Sequence, residues 1–297
     1  MKHYIAGIGE ILWDILPDTR KLGGAPANFA CHVSQFGLDG MIISAIGRDS
    51  LGKEVIKELG GKSIKTVLQE VSYPTGTVEV VLDGNGVPHY DIKEGSAWDN
   101  MTFTAELAAI ARDTRAACFG SLAQRNGTSR RTIELFLDAM DSNGEDTYKI
   151  FDINLRQNFY TEEIIESSLK KCNILKINDE ELSVISRMFS LPAGNTEDIC
   201  HSIVRTYGLK LLILTCGTNG SYIFSQEGTS FEETPKVTVA DTVGAGDSFT
   251  AAFISSLIYG KSVKEAHRLA VKVSAFVCTK EGATPILPAE LVEAVRH

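Results

Sequence analysis

Asp241-Thr242-Val243-Gly244-Ala245-Gly246-Asp247-Ser248-Phe249 sets a run of small residues directly before an apolar segment of helical character. Gly244, Ala245 and Gly246 would bring backbone N–H groups close to whatever lies at the start of that helix. Unpaired amide donors and the helix dipole together make an anion site there. Asp247 falls in the first turn. An acidic residue at that place is common for dipole reasons alone, but a Gly-Ala-Gly run is more than a capping carboxylate requires. A carboxylate beside an anion-binding nest is placed to act as a general base.

Gly23-Gly24-Ala25-Pro26-Ala27-Asn28 opens a second helix, with Pro26 suited to its first turn. Asn28 lies one turn in, where an amide is no favoured helix former. It is either an exposed residue of a loop-to-helix turn or a group that bonds ligand hydroxyls beside a closely approaching backbone. Asp14, between Trp13 and Ile15, has the same two readings: a carboxylate in an apolar stretch sits at an edge or binds something polar. Two other segments approach known nucleotide motifs and fail. Gly47–Glu54 has the setting of a P-loop, but Glu54 stands where a hydroxyl would have to hold Mg²⁺. Gly7-Ile8-Gly9 lacks the third glycine of a dinucleotide fingerprint, Leu12 standing there, and Glu10 adds charge where pyrophosphate would sit.

The first and second constellations, at opposite ends of the chain and in this order, carry a resemblance. Gly23–Asn28 through Gly37 to Gly47 resembles the N-terminal signature of the ribokinase-like (PfkB) carbohydrate kinases, and Asp241–Asp247 resembles their C-terminal one. Within that family, Gly9–Asp14, Gly23–Asn28 and Asp152-Ile153-Asn154-Leu155-Arg156 look most like fructokinases. The resemblance implies a ribokinase-like fold and transfer of the ATP γ-phosphoryl group to a sugar hydroxyl, D-fructose to fructose 6-phosphate being the favoured case. Asp247 then matches the catalytic base and Gly244, Ala245 and Gly246 the anion hole. Asp14, Gly24 and Asn28 match sugar-binding positions, and Arg156 is expected in the cleft, its other reading being a surface salt bridge. Asn178, Thr215, Gly217 and Gly220 match the nucleotide side. Glu181, in Asn178-Asp179-Glu180-Glu181, would organise Mg²⁺ through water. Asp241 and the loop Thr279–Thr284 could supply oxygens to a monovalent cation, but Ile286 stands where some relatives place a polar side chain, which argues against potassium activation.

Elements able to hold these residues can be read from the pattern. Apolar, β-like segments at Tyr4–Ile11, Met41–Ile46, Ala116–Phe119, Lys149–Ile153, Ile174–Ile177 and Leu211–Thr215 alternate with helical ones, and Gly220–Phe224 is expected as an antiparallel strand. Helices are expected over Ala25–Phe36, Gly52–Leu59, Ala105–Asp113, Ser129–Ser142, Thr161–Lys171, Asp179–Met188, Glu197–Tyr207, Ala245–Tyr259 and Val263–Cys278. Such alternation predicts an α/β domain, a mostly parallel sheet with helices on both faces, whose ligands bind beyond the carboxyl ends of the strands. Thr75–Met101 breaks the alternation: Gly76–Leu82 and Pro88–Ile92 read as a hairpin about Asp83-Gly84-Asn85-Gly86. A hairpin alone is marginal in water. The resemblance makes this insert, with residues 10–22, a β-rich lid over the sugar that often pairs with a second lid in a homodimer. Trp98 in the insert and Trp13 leading into it are expected to report sugar binding. The chain is otherwise one domain, 1–297.

Composition bounds the partners. The net charge of −9 disfavours nucleic acid, so an anionic substrate must meet a local positive field. The cysteines Cys31, Cys118, Cys172, Cys200, Cys216 and Cys278 form no CxxC pair and read as small apolar residues of a reduced, cytoplasmic protein. No apolar run approaches a membrane span, and Tyr4–Leu16, carrying Glu10 and Asp14, reads as strand and not as a signal peptide. Other readings are 2-keto-3-deoxygluconate kinase, ribokinase or nucleoside kinase, a catalytically silent sugar sensor, and a nucleotide-binding oxidoreductase, which the missing glycine disfavours.

Overall fold

Short runs of Ile, Val, Leu and Phe, each followed by an amphipathic helix, can bury both strand faces only if the strands line up in parallel between two helix layers. The computed structural model, which describes residues 3–16, 18–62, 64–82, 88–141, 147–191 and 194–297, has this arrangement. Its main sheet is built from β1 (Tyr4–Ile8), β4 (Asp39–Gly47), β5 (Lys65–Val71), β8 (Thr114–Phe119), β9 (Tyr148–Asp152), β10 (Ile174–Asn178), β11 (Leu211–Thr215), β12 (Ser221–Phe224) and β13 (Thr229–Glu232). Their order is β13-β12-β11-β10-β9-β8-β1-β4-β5. Every pairing from β11 to β5 is parallel, and the β12 and β13 edge is antiparallel.

One face is covered by α3 (Ala105–Arg112), α4 (Gly127–Met140), α5 (Glu162–Lys171), α6 (Asp179–Met188) and α7 (Thr196–Tyr207). The other is covered by α1 (Ala25–Gln35), α2 (Ser50–Gly60), α8 (Ala245–Ile258), α9 (Val263–Cys278) and α10 (Ala289–Arg296). Helix α8 is buried along most of its length between α1 and α9. Its Phe249 and Phe253 belong to the core of that face, and burying such a side chain contributes about 1.5–3 kcal/mol.

The chain runs from β1 outward to β4 and β5, then returns to the other side of β1 with β8. The carboxyl end of β1 is therefore the place where neighbouring connections diverge, and a crevice opens there. A second, four-stranded sheet, β3-β2-β6-β7, stands over it: β2 (Leu12–Ile15), β3 (Arg20–Gly23), β6 (Gly76–Leu82) and β7 (Pro88–Ile92). Strands β2 and β3 thus share one small sheet with β6 and β7 through the parallel pairing of β2 with β6.

Three expectations change. The run Tyr4–Leu16 is two strands in two sheets, broken at Gly9 (φ 153°), because the chain must leave the main sheet at the crevice. Residues 93–101 belong to the body. Trp98 is fully buried in the core and Arg125 lies 4.2 Å over its ring while donating to both Asp99 oxygens and to Lys93 O. The Trp98 ring also lies against the start of β6, where a Cβ on Gly76 would fall 2.3 Å from Nε1. Strands β3, β5 and β13 and helix α10 are additional to the sequence reading. Strands β3 and β13 are short and polar, and β5 is partly exposed at the sheet edge, so none has the apolar run of a core strand. The turn Asp83–Gly86 lies outside the described residues.

Candidate active site

Seven of the ten helices begin on a side chain that accepts one of their free amides: Asp49, Thr104, Asn126, Thr161, Asn178, Asn195 and Ser262. Helices α1 and α8 begin instead on Gly24 and Gly244, with no cap from either residue, and both point into the crevice. At Gly24, φ is +118° and a Cβ would lie 2.3 Å from Glu10 O. At Gly244, φ is +78° and a Cβ would lie 2.3 Å from Ala283 O. Only glycine fits either place. The Gly47–Glu54 look-alike, by contrast, is closed by its own chain, since Asp49 accepts from Gly52 N (2.7 Å) and Thr75 N (2.8 Å) and leaves no anion site.

The crevice encloses about 790 Å³. Its walls include Asp14, Gly24, Asn28, Arg156, Asn178, Glu181, Thr215, Gly244, Gly246 and Asp247, which the sequence had singled out from six separate segments. Ala245, Gly217, Gly220 and Asp241 do not line it. Ala245 turns its N–H to Thr242 O (3.3 Å), whereas the other first-turn amides of α8, those of Gly246 and Asp247, have no acceptor among the described residues. Gly217 and Gly220 flank the turn after β11, where a Cβ on Gly220 would strike the Phe231 ring. Asp241 closes two loops: it accepts from Val243 N (3.0 Å) and Gly282 N (3.1 Å), with Lys21 Nζ 4.0 Å away. A monovalent cation would compete there with donors already present.

Asp247 and Asn28, from opposite ends of the chain, meet. Asn28 Nδ2 donates to Asp247 Oδ2 at 2.8 Å. Asn28 is buried and Asp247 half-buried, and this bond fixes the carboxyl with Oδ1 left for another partner. Burial, then the neighbouring Asp152 carboxylate, push Asp247 up to about 6, against Asn28, Lys176 and Arg156. Burial also raises Asp14, against Arg156 and Lys21. Asn154 (φ 42°) and Gln157 (φ 49°) hold left-handed conformations on either side of Arg156, strain of the kind that collects at ligand sites.

Glu181 is tied into the body. It accepts from Leu155 N (2.9 Å) and Asn178 N (3.0 Å), while Asn178 Oδ1 accepts from Glu181 N (2.8 Å). Among the described residues no group of three or more His, Cys, Asp or Glu is placed to hold a metal. A carboxylate whose oxygens are each already bonded fits a cation that keeps its water shell, which Mg²⁺ does.

Three cleft residues were missed as site residues, although two of them, Glu10 and Asp152, lie in segments that carry the fructokinase likeness. Glu10 is 3% exposed, and its Oε2 has no partner among the described residues. Burial pushes it up to about 7, against its own amide and that of Ala25. Asp152 and Lys176 lie side by side on β9 and β10, with Lys176 Nζ 2.9 Å from both Asp152 oxygens. The available signal was a charged residue inside Tyr148–Asp152 and Ile174–Asn178, strands otherwise built to be buried.

Known proteins match this chain over nearly its whole length. A family model described as pfkB family carbohydrate kinase covers residues 18–290. An ATP-dependent 6-phosphofructokinase of Thermoanaerobacterium thermosaccharolyticum is 28% identical, over 97% of this chain and 91% of that protein. Fructokinase-2 of Zea mays is 26% identical over 96% and 91%. A putative ribokinase II of E. coli, solved with ATP and Mg²⁺, covers the whole of both chains at a TM-score of 0.82 and 20% identity, so the fold is ribokinase-like. Among the described residues no helix is long and apolar enough to cross a membrane.

Proposed function

The chain belongs to the pfkB family of carbohydrate kinases, and we propose that within it the protein transfers the γ-phosphoryl group of ATP to the 6-hydroxyl of D-fructose. The observation that carries this reading is the 2.8 Å bond between Asn28 and Asp247, which joins a hydroxyl-binding wall to a base beside free amides. Oδ1 of Asp247 takes the hydroxyl proton as the oxygen attacks. The Gly246 and Asp247 amides donate to the charge on the transferred group. Asp14 and Asn28 hold sugar hydroxyls. Leu12, Val78 and Ile92 of the small sheet form an apolar roof that excludes water, which would otherwise accept the phosphoryl group. Asn178 and Thr215 stand on the nucleotide side. Mg²⁺, held through water by Glu181, would neutralise phosphate charge when the nucleotide is bound.

Charge favours a neutral acceptor. The cleft holds five carboxyl groups, Glu10, Asp14, Asp152, Glu181 and Asp247, against Arg156 and Lys176. Lys176 is engaged by Asp152, and Arg156 faces Glu10, Asp14 and Asp247. A sugar phosphate would add charge with no free cation to meet it. A keto-deoxy sugar acid is the second reading, favoured by Arg156 alone. A silent sensor would have no need of a base set beside free amides.

ADP release measured over fructose, fructose 6-phosphate, 2-keto-3-deoxygluconate, ribose and adenosine tests the assignment. Fructose is expected to give the highest kcat/KM, and a tenfold preference for any other acceptor would overturn it. The small sheet is read as a lid whose outer face pairs with a second copy of the chain. Light scattering should then show a dimer that removal of residues 76–92 converts to monomer.

A further inference from the structure

Lys176 and Asp152 face each other in register across two buried parallel strands, under the first turn of α8. A Cβ built on Gly246 would lie 3.1 Å from Lys176 Nζ, so the ammonium touches the underside of the turn that carries Asp247. A buried ion pair of this kind is a poor way to gain stability, since an apolar pair of similar volume does as well or better. Its position against the turn is what needs a reason.

We propose that Lys176, held by Asp152, is a positioning residue for Asp247: its ammonium sets the height of the first turn of α8 and keeps the Asp247 carboxyl ionised beside a second carboxylate. The inference rests on the reading of Asp247 as the base. The charged and titratable groups facing Asp247 are Glu10 after β1, Cys118 of β8, Asp152 of β9, Arg156 in the loop after it, and Lys176 of β10. Asp152 opposes ionisation of Asp247, while Lys176 and Arg156 favour it. Burial works against the charge on Lys176, but Asp152, Glu181 and Asp247 outweigh it and hold the group above the ordinary lysine value. Without Lys176, two neighbouring carboxyls would compete for one proton.

The two partners therefore act on Asp247 with opposite sign, and this separates the proposal from a structural role. The test is the pH profile of kcat/KM in purified enzyme. Lys176→Met should move the acid limb upward by about one pH unit, with most of the rate recovered at high pH. Asp152→Asn should move it downward by about one unit. Lys176→Arg and the double variant Lys176→Met/Asp152→Asn should both stay near the wild-type limb. ADP affinity should not change in any of them. Limbs that stay put, or that move in one direction in both single variants, overturn the proposal. So does a tenfold loss of ADP affinity with an unmoved limb, which would make Lys176 a phosphate ligand. If Lys176→Met fails to fold, Asp152→Asn and the double variant decide. Asp247→Asn runs alongside: if it keeps its turnover, the assignment of the base has failed, and if it is inactive while the limbs stay put, only the role of Lys176 has.

Discussion

Helices α1 and α8 enter the crevice from the same face of the sheet, and each begins on a glycine where most helices of this protein begin on a capping side chain. Their surroundings nonetheless differ. At α1 the buried Glu10 carboxyl lies near the Ala25 amide, which favours its charged form. At α8 the Gly246 and Asp247 amides have no acceptor among the described residues. A helix start with a carboxyl already on it repels phosphate and suits neutral hydroxyls, whereas an uncapped one attracts an anion. On the proposed function, one local device, a glycine in place of a cap, would serve a sugar end and a phosphoryl end, tied together by the Asn28–Asp247 bond.

The largest effect should come from Asp247→Asn. The amide keeps the shape and cannot take the proton, so kcat should fall by about 10²–10⁴-fold while calorimetry shows fructose and ADP still binding. Near wild-type turnover would break the division of labour at its centre. In wild type the same group sets a pH dependence. With Asp247 raised to about 6, its basic form is present above that value and lost below it, so kcat/KM should fall through an acid limb near pH 6.

Smaller effects sharpen the α1 side. Asp14→Ala and Asn28→Ala should each lower kcat/KM for fructose by about 5–150-fold, the equivalent of roughly 1–3 kcal/mol per unpaired hydroxyl, with ADP affinity unchanged. Equal losses for sugar and nucleotide would put these residues in the wrong half of the cleft.

Glu10→Gln should act mainly on stability. Its folded-state value, about 7, lies above the 4.5 of an ordinary glutamate. The folded form therefore binds more protons between those values, and the stability this group contributes is present below about 4.5 and lost as pH rises through 7. Chemical denaturation should show the variant gaining on wild type from pH 5 to pH 8, by up to about 3 kcal/mol. A constant difference over that range would show that burial does not raise the Glu10 carboxyl in the way described.

The sheet and its helix layers were legible because core strands and helix starts are local patterns: Leu211–Thr215, Asp179–Met188 and Val263–Cys278 stand where period and caps put them. The two glycine-entered helices were legible for the same reason. The small sheet was only half readable, since β3 owes its place to pairing with β2 and has almost no buried side of its own. Lys176 and Asp152 were illegible as a pair because their meeting depends on parallel register, which no single segment encodes. Glu10 read as an obstacle to pyrophosphate. In the fold it lies buried at the start of α1, beside the Ala25 amide.

A crystal structure with fructose and a non-hydrolysable ATP analogue tests the division most directly. The γ-phosphate is predicted to sit within hydrogen-bond distance of the Gly246 and Asp247 amides, with the sugar against Asp14 and Asn28 and its reacting hydroxyl at Asp247 Oδ1. A phosphate group found instead at the α1 end, against Ala25 and Glu10, would contradict the account.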